Sequence, residues 1–114
     1  MTECLFCKIS SKKIPAKIIH EDADTLAFED INPQAPVHVL IIPKKHIPSA
    51  LEITAEDEGL IGHLFSVAGK IAREKGIAER GFRLVVNTNA DAGQEVYHIH
   101  LHVLGGRRMH WPPG

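Results

Sequence analysis

The stretch "EVYHIHLHVLGG", residues 95–106, carries three histidines at alternate positions, with isoleucine and leucine between them and valine after them. On a β-strand successive side chains point to opposite faces, and β-branched residues are enriched in strands. The pattern therefore predicts a strand over residues 96–104 with one apolar face packed on the core. His98, His100 and His102 share the other face, at about 7 Å from one to the next. The fold has to accommodate a strand that presents a row of imidazoles.

The remaining segments predict the α+β class. Residues 55–75 carry apolar side chains at helical spacing, with Thr54 and Asp57 as an acidic variant of a capping box and Gly76 as a natural end. The expected apolar face of this helix consists of Leu60, Ile61, Leu64, Phe65, Ala68, Ile71 and Ala72. The other expected strands span residues 17–22, 25–30, 37–43 and 82–88. The polar loop between the strands at residues 82–88 and 96–104 predicts a wide antiparallel hairpin, so the sheet is expected to be antiparallel.

Composition excludes several classes of protein. With 114 residues, of which 44% are hydrophobic and 24% charged, the chain is expected to form one domain over residues 1–114. A net charge of −1 and 5% aromatic residues argue against nucleic acid as a partner. No apolar run reaches the roughly 18 residues of a membrane span. The start "MTECLFCKIS" lacks the regions of a secretory signal, so a cytoplasmic protein without a membrane partner is expected.

The histidine row has three interpretations. It is a solvated polar face, or it chelates a metal, or it performs chemistry at phosphorus. A solvated face normally recruits Lys, Glu and Thr, and the outer two histidines are too far apart for one ion. A neutral imidazole, with an ordinary pKa of about 6.5, is a competent nucleophile at neutral pH. Attack on a P–N bond exchanges one P–N bond for another, so the intermediate lies near the substrate in energy.

These residues resemble a known family. "HIHLHV", residues 98–103, is similar to the His-x-His-x-His signature of the histidine triad (HIT) hydrolases. The segments "LAFEDINPQAPVHVLIIPKKHI", "GQEVYHIHLHVLGGR" and "MHWPPG" resemble the Hint branch, the purine nucleoside phosphoramidases. The resemblance implies a HIT-like α+β fold, in which a five-stranded antiparallel sheet carries one long helix and a short N-terminal helix. It also implies a homodimer whose sheets join across the interface.

The resemblance implies the roles of the site residues as well. His100, the middle histidine, would be the nucleophile, and His102 would bind the phosphate. His38 would support the triad, and His98 would hold the strand that presents His100. The remaining nucleotide contacts would be Asp30 and Ile31 at the ribose, Leu5, Phe6, Ile9, Phe28 and Leu40 at the base, and Asn87, Gly93, Gln94 and Glu95 in the loop before the motif.

Glu95 departs from the family pattern, because many Hint-type sequences carry a serine at this position. A carboxylate beside a phosphate is repulsive unless it points away or is protonated. Glu95 therefore either weakens assistance to the leaving group or is a solvated loop residue.

The C-terminal tail, residues 105–114, cannot form a regular element through Pro112 and Pro113. The resemblance implies that it lies near the active site of the partner subunit, where Trp111 would shape the leaving-group side. The alternative is a frayed terminus.

The pair Cys4-x-x-Cys7 has three interpretations: a redox motif, two small residues in an N-terminal turn, or half of a zinc site. A redox motif is expected within a βαβ pattern, which is not visible here. A zinc site needs two more ligands. Cysteine pairs of some bacterial HIT proteins look similar, and that resemblance implies structural zinc held by Cys4, Cys7, His46 and His98.

The sequence thus predicts a hydrolase that converts purine nucleoside 5′-phosphoramidates to a nucleoside monophosphate and an amine through a nucleotidyl-histidine. Hydrolysis of dinucleoside polyphosphates, or nucleotidyl transfer, is a rival within enzymes. A nucleotide-binding interaction module with little turnover is a rival from another class.

Overall fold

Five strands form one antiparallel sheet in the order β1-β2-β3-β5-β4. The computed structural model describes residues 4–114. Residues 1–3 begin the N-terminal segment in which no secretory signal is expected, and they lie outside the described residues. The strands are β1 Ile18–Glu21, β2 Thr25–Glu29, β3 Val37–Pro43, β4 Phe82–Val85 and β5 Leu101–Gly105. The helices are α1 Leu5–Ser10, α2 Glu58–Glu74 and the four-residue α3 Asn89–Ala92, with 3₁₀ turns at Ala50–Glu52 and Ala55–Asp57. The α+β antiparallel prediction is confirmed, including the long helix and the short N-terminal helix.

The two faces of the sheet pack against different helices. Along β3, Val39 and Ile41 belong to the core cluster that contains the buried residues of α2. Their neighbours Leu40 and Ile42 belong to a second cluster, with Phe6 and Ile9 of α1. This is the strict alternation of a strand buried on both faces. The α1 face is the one that carries the candidate site.

The predicted cap and end of the long helix are present, but the cap at Thr54 precedes the 3₁₀ turn Ala55–Asp57, and α2 itself begins at Glu58. The Thr54 N–H donates to the Asp57 carboxylate at 3.0 Å, and the Asp57 N–H donates to the Thr54 carbonyl at 2.9 Å. Gly76 takes a left-handed φ of 76°, and its N–H and that of Ile77 donate to the last carbonyls of the helix. Helices commonly end with glycine in this conformation, because it satisfies carbonyls that have no partner within the helix.

One residue assigned to the apolar face of α2 is exposed. Phe65 keeps 47% of its surface accessible, while Val67, which the periodicity omitted, is buried. Phe65 lies about 100° round the helix from Leu64, at the flank of the buried stripe.

The last two strands are shorter than predicted. The expected strand over residues 96–104 is wrong in its first half, because β5 begins only at Leu101. The Ile99 N–H donates to the Ile47 carbonyl, in the loop after β3, at 2.7 Å rather than to a neighbouring strand. The fourth strand ends at Val85 instead of residue 88, and α3 occupies part of the expected loop. The hairpin itself is confirmed, since β4 and β5 pair antiparallel.

Strands β1 and β4 are the two edges of the sheet. Among residues 4–114, no helix combines the length and the apolar character needed to cross a membrane.

Candidate active site

The pairing of β3 with β5 brings two histidines together. Leu40 lies opposite His102 in the antiparallel register, so His38, two residues earlier, shares the α1 face with His102. The His38 Nε2 and His102 Nδ1 atoms are 2.9 Å apart. His100 lies just before β5, and its ring centroid is 4.9 Å from that of His102.

A cavity of about 400 Å³ opens beside these rings. Its walls come from α1 and the segment after it, from the end of β2, and from the residues that precede the histidine motif. Predicted site residues that line it are Leu5, Phe6, Ile9, Phe28, Asp30, Ile31, Leu40, Glu95, His100 and His102. Most of this wall is apolar, whereas three carboxylates (Glu29, Asp30 and Glu95) stand at the cavity and no lysine or arginine is among its lining residues.

Hydrogen bonds assign the tautomers of His38 and His102. The Gln34 backbone N–H donates to Nδ1 of His38 at 3.0 Å, so this nitrogen carries a lone pair. Nε2 of His38 is then the protonated nitrogen, and it donates to Nδ1 of His102. His102 is left with its proton on Nε2. This donor is available to an oxygen of a bound ligand.

The same reasoning gives His100 the opposite tautomer, with its proton on Nδ1. Its Nδ1 donates to the His98 carbonyl at 2.8 Å, and a carbonyl can only accept. Nε2 of His100 therefore carries the lone pair. Within residues 4–114, no side-chain nitrogen or oxygen is both fully buried and without a partner, so this atom is open to the cavity. The Phe6 ring meets that of His100 edge to face, with centroids 5.0 Å apart, and limits its rotation.

Burial keeps these imidazoles neutral. Desolvation lowers the pKa of His100 below its ordinary value, although the bond to the His98 carbonyl and the charge of Asp30 oppose this. Desolvation, helped by His100 and His38, lowers the pKa of His102 to about 4. Desolvation also lowers the pKa of His38, against the raising effect of Asp30, whose Oδ2 lies 3.4 Å from Nε2. A neutral His100 is the nucleophilic form.

Cys4, Cys7, His46 and His98 form a separate cluster that could bind a metal ion. Nδ1 of His98 lies 3.3 Å from Sγ of Cys4 and 3.5 Å from Sγ of Cys7. Nδ1 of His46 lies 3.4 Å from Sγ of Cys7 and 3.2 Å from Nδ1 of His98. Nε2 of His98 donates to the Pro43 carbonyl at 2.7 Å, which leaves its Nδ1 lone pair directed into the cluster.

The row of three histidines is divided between two environments. His98 is fully buried among the cysteines, whereas His100 and His102 line the cavity of about 400 Å³. The expected strand through all three is wrong, because β5 begins only at Leu101. The rings still share the α1 side, since the Phe6 ring meets those of both His98 and His100, with centroids 6.0 and 5.0 Å apart.

Three residues of the predicted phosphate loop do not line the cavity: Asn87, Gly93 and Gln94. Gly93, at a φ of 82°, ends α3, and its N–H donates to the Ala90 carbonyl. The Gln94 N–H donates to the Asn89 carbonyl. Its side-chain amide bonds Pro48, Val96 and Asn89, so Gln94 braces the loop from inside.

Sequence reasoning missed part of the cavity wall. Ile14, Pro15, Ala16, Glu29, Asn32 and Val96 line it in addition to the predicted residues. Ile14 and Ala16 flank Pro15 in "KKIPAK", and apolar residues between lysines indicate that this segment packs on an apolar surface. The backbone groups of Gln34 and Pro43 that orient the histidines leave no such signal, because any residue supplies an N–H or a carbonyl.

Comparisons with known proteins identify the family of the chain. A family model described as the HIT domain matches residues 11–109. The chain belongs to the HIT family. It is 52% identical over 107 residues to the purine nucleoside phosphoramidase of Escherichia coli strain K12, which spans 94% of this chain and 90% of that protein.

Solved structures of HIT-family proteins superpose closely on the chain. The HIT family hydrolase from Legionella pneumophila Philadelphia 1 has a TM-score of 0.97 and 54% identity, covering 98% of this chain and all of that one (100%). A histidine triad protein from Clostridium difficile has a TM-score of 0.93 and 43% identity, over 96% and 95% of the two chains. The predicted HIT-like fold is confirmed, and the relatives support a hydrolase.

The hydrogen bonds predict a specific set of tautomers. At pH 7.5 we expect the proton on Nδ1 in His100 and on Nε2 in His38 and His102, because each assignment follows from a backbone partner of fixed polarity. Long-range ¹H–¹⁵N correlation spectra of the imidazoles measure this directly. A His100 protonated on Nε2 would contradict the assignment and remove the available lone pair.

Proposed function

We propose that this protein hydrolyses purine nucleoside 5′-phosphoramidates to a nucleoside monophosphate and an amine. One observation carries the proposal: the open Nε2 lone pair of His100 and the Nε2–H of His102 stand side by side at a mostly apolar cavity. A nucleophile next to a donor for phosphate oxygens is the arrangement that nucleotidyl transfer to histidine requires.

The cavity accounts for each part of the nucleotide. The purine would lie among Leu5, Phe6, Ile9, Phe28 and Leu40. The Asp30 carboxylate, at the rim with Ile31, accepts hydrogen bonds and suits ribose hydroxyls. The phosphate would then lie against His100 and His102.

The reaction proceeds in two steps at His100. Nε2 attacks phosphorus, a P–N bond to the imidazole forms, and the P–N bond to the amine breaks as the amine takes a proton. Water then attacks phosphorus, the bond to Nε2 breaks, and the nucleoside monophosphate leaves. During both steps Nδ1–H keeps its bond to the His98 carbonyl, which stabilises the positive charge that develops on the ring.

The charge of the cavity favours this substrate over a dinucleoside polyphosphate. Three carboxylates and no cationic side chain line the cavity. A phosphoramidate monoester carries about one negative charge, whereas a polyphosphate chain carries several, and repulsion grows with each added charge. The identity with the Escherichia coli purine nucleoside phosphoramidase also supports P–N chemistry.

We further propose that the Cys4, Cys7, His46 and His98 cluster holds a structural zinc ion. In tetrahedral zinc sites the ligand nitrogens lie about 3.3 Å apart, and nitrogen and sulfur about 3.6 Å apart. The observed N···N distance of 3.2 Å and N···S distances of 3.3–3.5 Å fit these values. Four protein ligands leave no position for water, so the ion would fix His98, whose carbonyl orients His100.

The chain, as one domain over residues 1–114, is proposed to form a homodimer through the free edge of β4. Val86, directly after β4, is an exposed apolar residue at this edge. An unpaired edge strand is a template for a second copy, and isologous pairing across a two-fold axis is the commonest closed arrangement. The tail after β5, with Trp111 82% exposed, would then be available to the partner's site.

His100→Ala is expected to lower turnover of adenosine 5′-phosphoramidate by at least about 10³-fold, because it removes the nucleophile. Binding of AMP should change by less than about threefold. Turnover is measured by release of AMP, and affinity by calorimetry. His63→Ala, which removes an exposed imidazole bonded to Asp22 outside the cavity, is the matched control.

Normal turnover by His100→Ala would contradict the mechanism. A wild-type protein that binds AMP tightly without turnover would favour the interaction module instead. Faster hydrolysis of diadenosine tetraphosphate than of the phosphoramidate would favour the polyphosphate rival. Cytoplasmic location stays a prediction, to be checked by fractionation of the source cell.

Metal analysis of the purified protein is expected to give about one zinc per chain, and Cys7→Ser to give less than half of that. Loss of the ion should lower Tm by about 5 °C or more, because it removes a link between α1, the loop after β3 and the segment before β5. Ser11→Ala, an exposed hydroxyl just after α1, is the control. A metal-free chain with an unchanged Tm would overturn the zinc proposal.

Sedimentation velocity is expected to give twice the mass of one chain. Val86→Asp should weaken this dimer about tenfold or more, since it brings two carboxylates to the proposed interface. Ile18→Asp on the opposite edge is a close match, because Ile18 is 40% and Val86 38% exposed. A dimer broken by Ile18→Asp and kept by Val86→Asp would assign the interface to β1.

A further inference from the structure

Four of the five arginines in the chain lie together, away from the candidate active site. Arg80 precedes β4 and Arg83 lies within it, while Arg107 and Arg108 follow β5. The antiparallel register sets Phe82 opposite Gly105 and Arg83 opposite Leu104, which brings the two segments side by side. We call these four residues the arginine cluster. None of the eight lysines belongs to it.

Two adjoining cavities, each of about 230 Å³, open at the arginine cluster. They share Arg80, Gly81, Arg107 and Arg108 as walls. The first also has Gly76, Ile77 and Gly106, and the second Phe82, Arg83 and Met109. Neither cavity has an acidic residue in its lining, and neither shares a lining residue with the cavity of the candidate active site.

The guanidinium groups of the arginine cluster have no anionic partner among residues 4–114. Six of the eight lysines form ion pairs with carboxylates within 4.0 Å, whereas no arginine of the cluster does. Arg83 donates one bond to the His110 carbonyl, and Arg107 donates one to the Gln34 carbonyl and one to the Arg108 carbonyl, which positions these two side chains. Arg80 and Arg108 make no side-chain hydrogen bond in the described part of the chain. Most of the donors of the cluster are therefore free.

Arginine is the side chain suited to phosphate recognition. Its planar fork presents parallel N–H donors that match two phosphate oxygens, whereas lysine acts as a point charge. Two adjoining cavities with shared arginine walls fit two linked phosphate groups better than one. A backbone hydrogen bond fixes the turn before β4 that lines both cavities, since the Gly81 N–H donates to the Ile77 carbonyl at 3.0 Å.

We propose that the arginine cluster binds an anion with two adjoining phosphate groups, at a site separate from the nucleotide cavity. The diphosphate is the recognised chemistry, whether it comes as inorganic diphosphate or as the phosphate tail of a nucleotide. The separation of charge within the molecule supports this assignment: the charged side chains that line the proposed nucleotide cavity are all carboxylates, whereas those that line these two cavities are all arginines.

Calorimetry at about 0.15 M salt with inorganic diphosphate tests the proposal, with AMP present at saturation to block the nucleotide cavity. We expect one saturable site per chain and at least tenfold weaker binding of orthophosphate. Arg80→Gln with Arg108→Gln should weaken diphosphate binding at least tenfold, and these changes break no side-chain hydrogen bond or ion pair among residues 4–114. Lys13→Gln, which removes an exposed cation elsewhere, should change it less than twofold. ADP in place of diphosphate tests the nucleotide source.

Three results would overturn the proposal. Diphosphate that fails to bind shows that the cluster is not such a site. Equal losses in the arginine and lysine variants show attraction to overall charge only. Dissociation of a dimer by the arginine variants, without diphosphate binding, shows that the cluster contacts a second copy of the chain.

Discussion

The position of His98 is the constraint on which the site depends. Its Nε2 bonds the Pro43 carbonyl at the end of β3, its Nδ1 faces two cysteines, and its carbonyl accepts from Nδ1 of His100. A net hydrogen bond of about 1 kcal/mol biases the His100 tautomer about fivefold, and the cost of leaving the buried carbonyl unpaired adds to this bias. The lone pair of His100 is therefore set by a backbone group whose own place is fixed by another histidine. Within the cavity, the Phe6 ring adds a limit on rotation of the His100 ring.

The β3–β5 register provides the second half of the arrangement. It sets His38 beside His102, and the loop between β2 and β3 returns the Gln34 N–H to the far side of the His38 ring. The two hydrogen bonds therefore run in one direction, from the Gln34 N–H to His38 and from His38 to His102, which leaves the Nε2–H of His102 as a donor at the cavity. His100 and His102 are equivalent positions of the sequence pattern, but Nε2 of His100 is an acceptor and Nε2 of His102 is a donor, because their hydrogen-bond partners differ. Burial lowers the pKa of both, so neutral rings make this distinction possible.

The sequence predicted the sheet and the long helix, because these leave periodic and local patterns, whereas most of the cavity wall was implied by the resemblance to the HIT family. It predicted a single strand through all three histidines, and that was wrong. Alternation of apolar and polar residues continues through Tyr97 and Ile99, but the bond from the Ile99 N–H to the Ile47 carbonyl takes the chain off the sheet. The Ile99 N–H thus bonds a carbonyl that is distant in sequence instead of a neighbouring strand, and the alternation of side chains carries no information about that choice. The assignment of Gly93 and Gln94 to a phosphate loop stays a prediction, since a glycine that ends a short helix and one that frees N–H groups for a ligand look alike in sequence.

Helix α1 links the proposed metal site to the proposed nucleotide site. Six residues long, it is too short to be stable alone. Cys4 caps it and Cys7 lies within it, while Phe6 between them packs on Phe28 and on the His100 ring. Apolar burial of Phe6 and Ile9 contributes roughly 2 kcal/mol per side chain, which is a modest sum against the ordering of a helix and its flanking segment. A metal ion held by Cys4 and Cys7 would fix the same helix from its other side. The wall proposed to receive the base and the histidine proposed to attack phosphorus would then be positioned by one cluster.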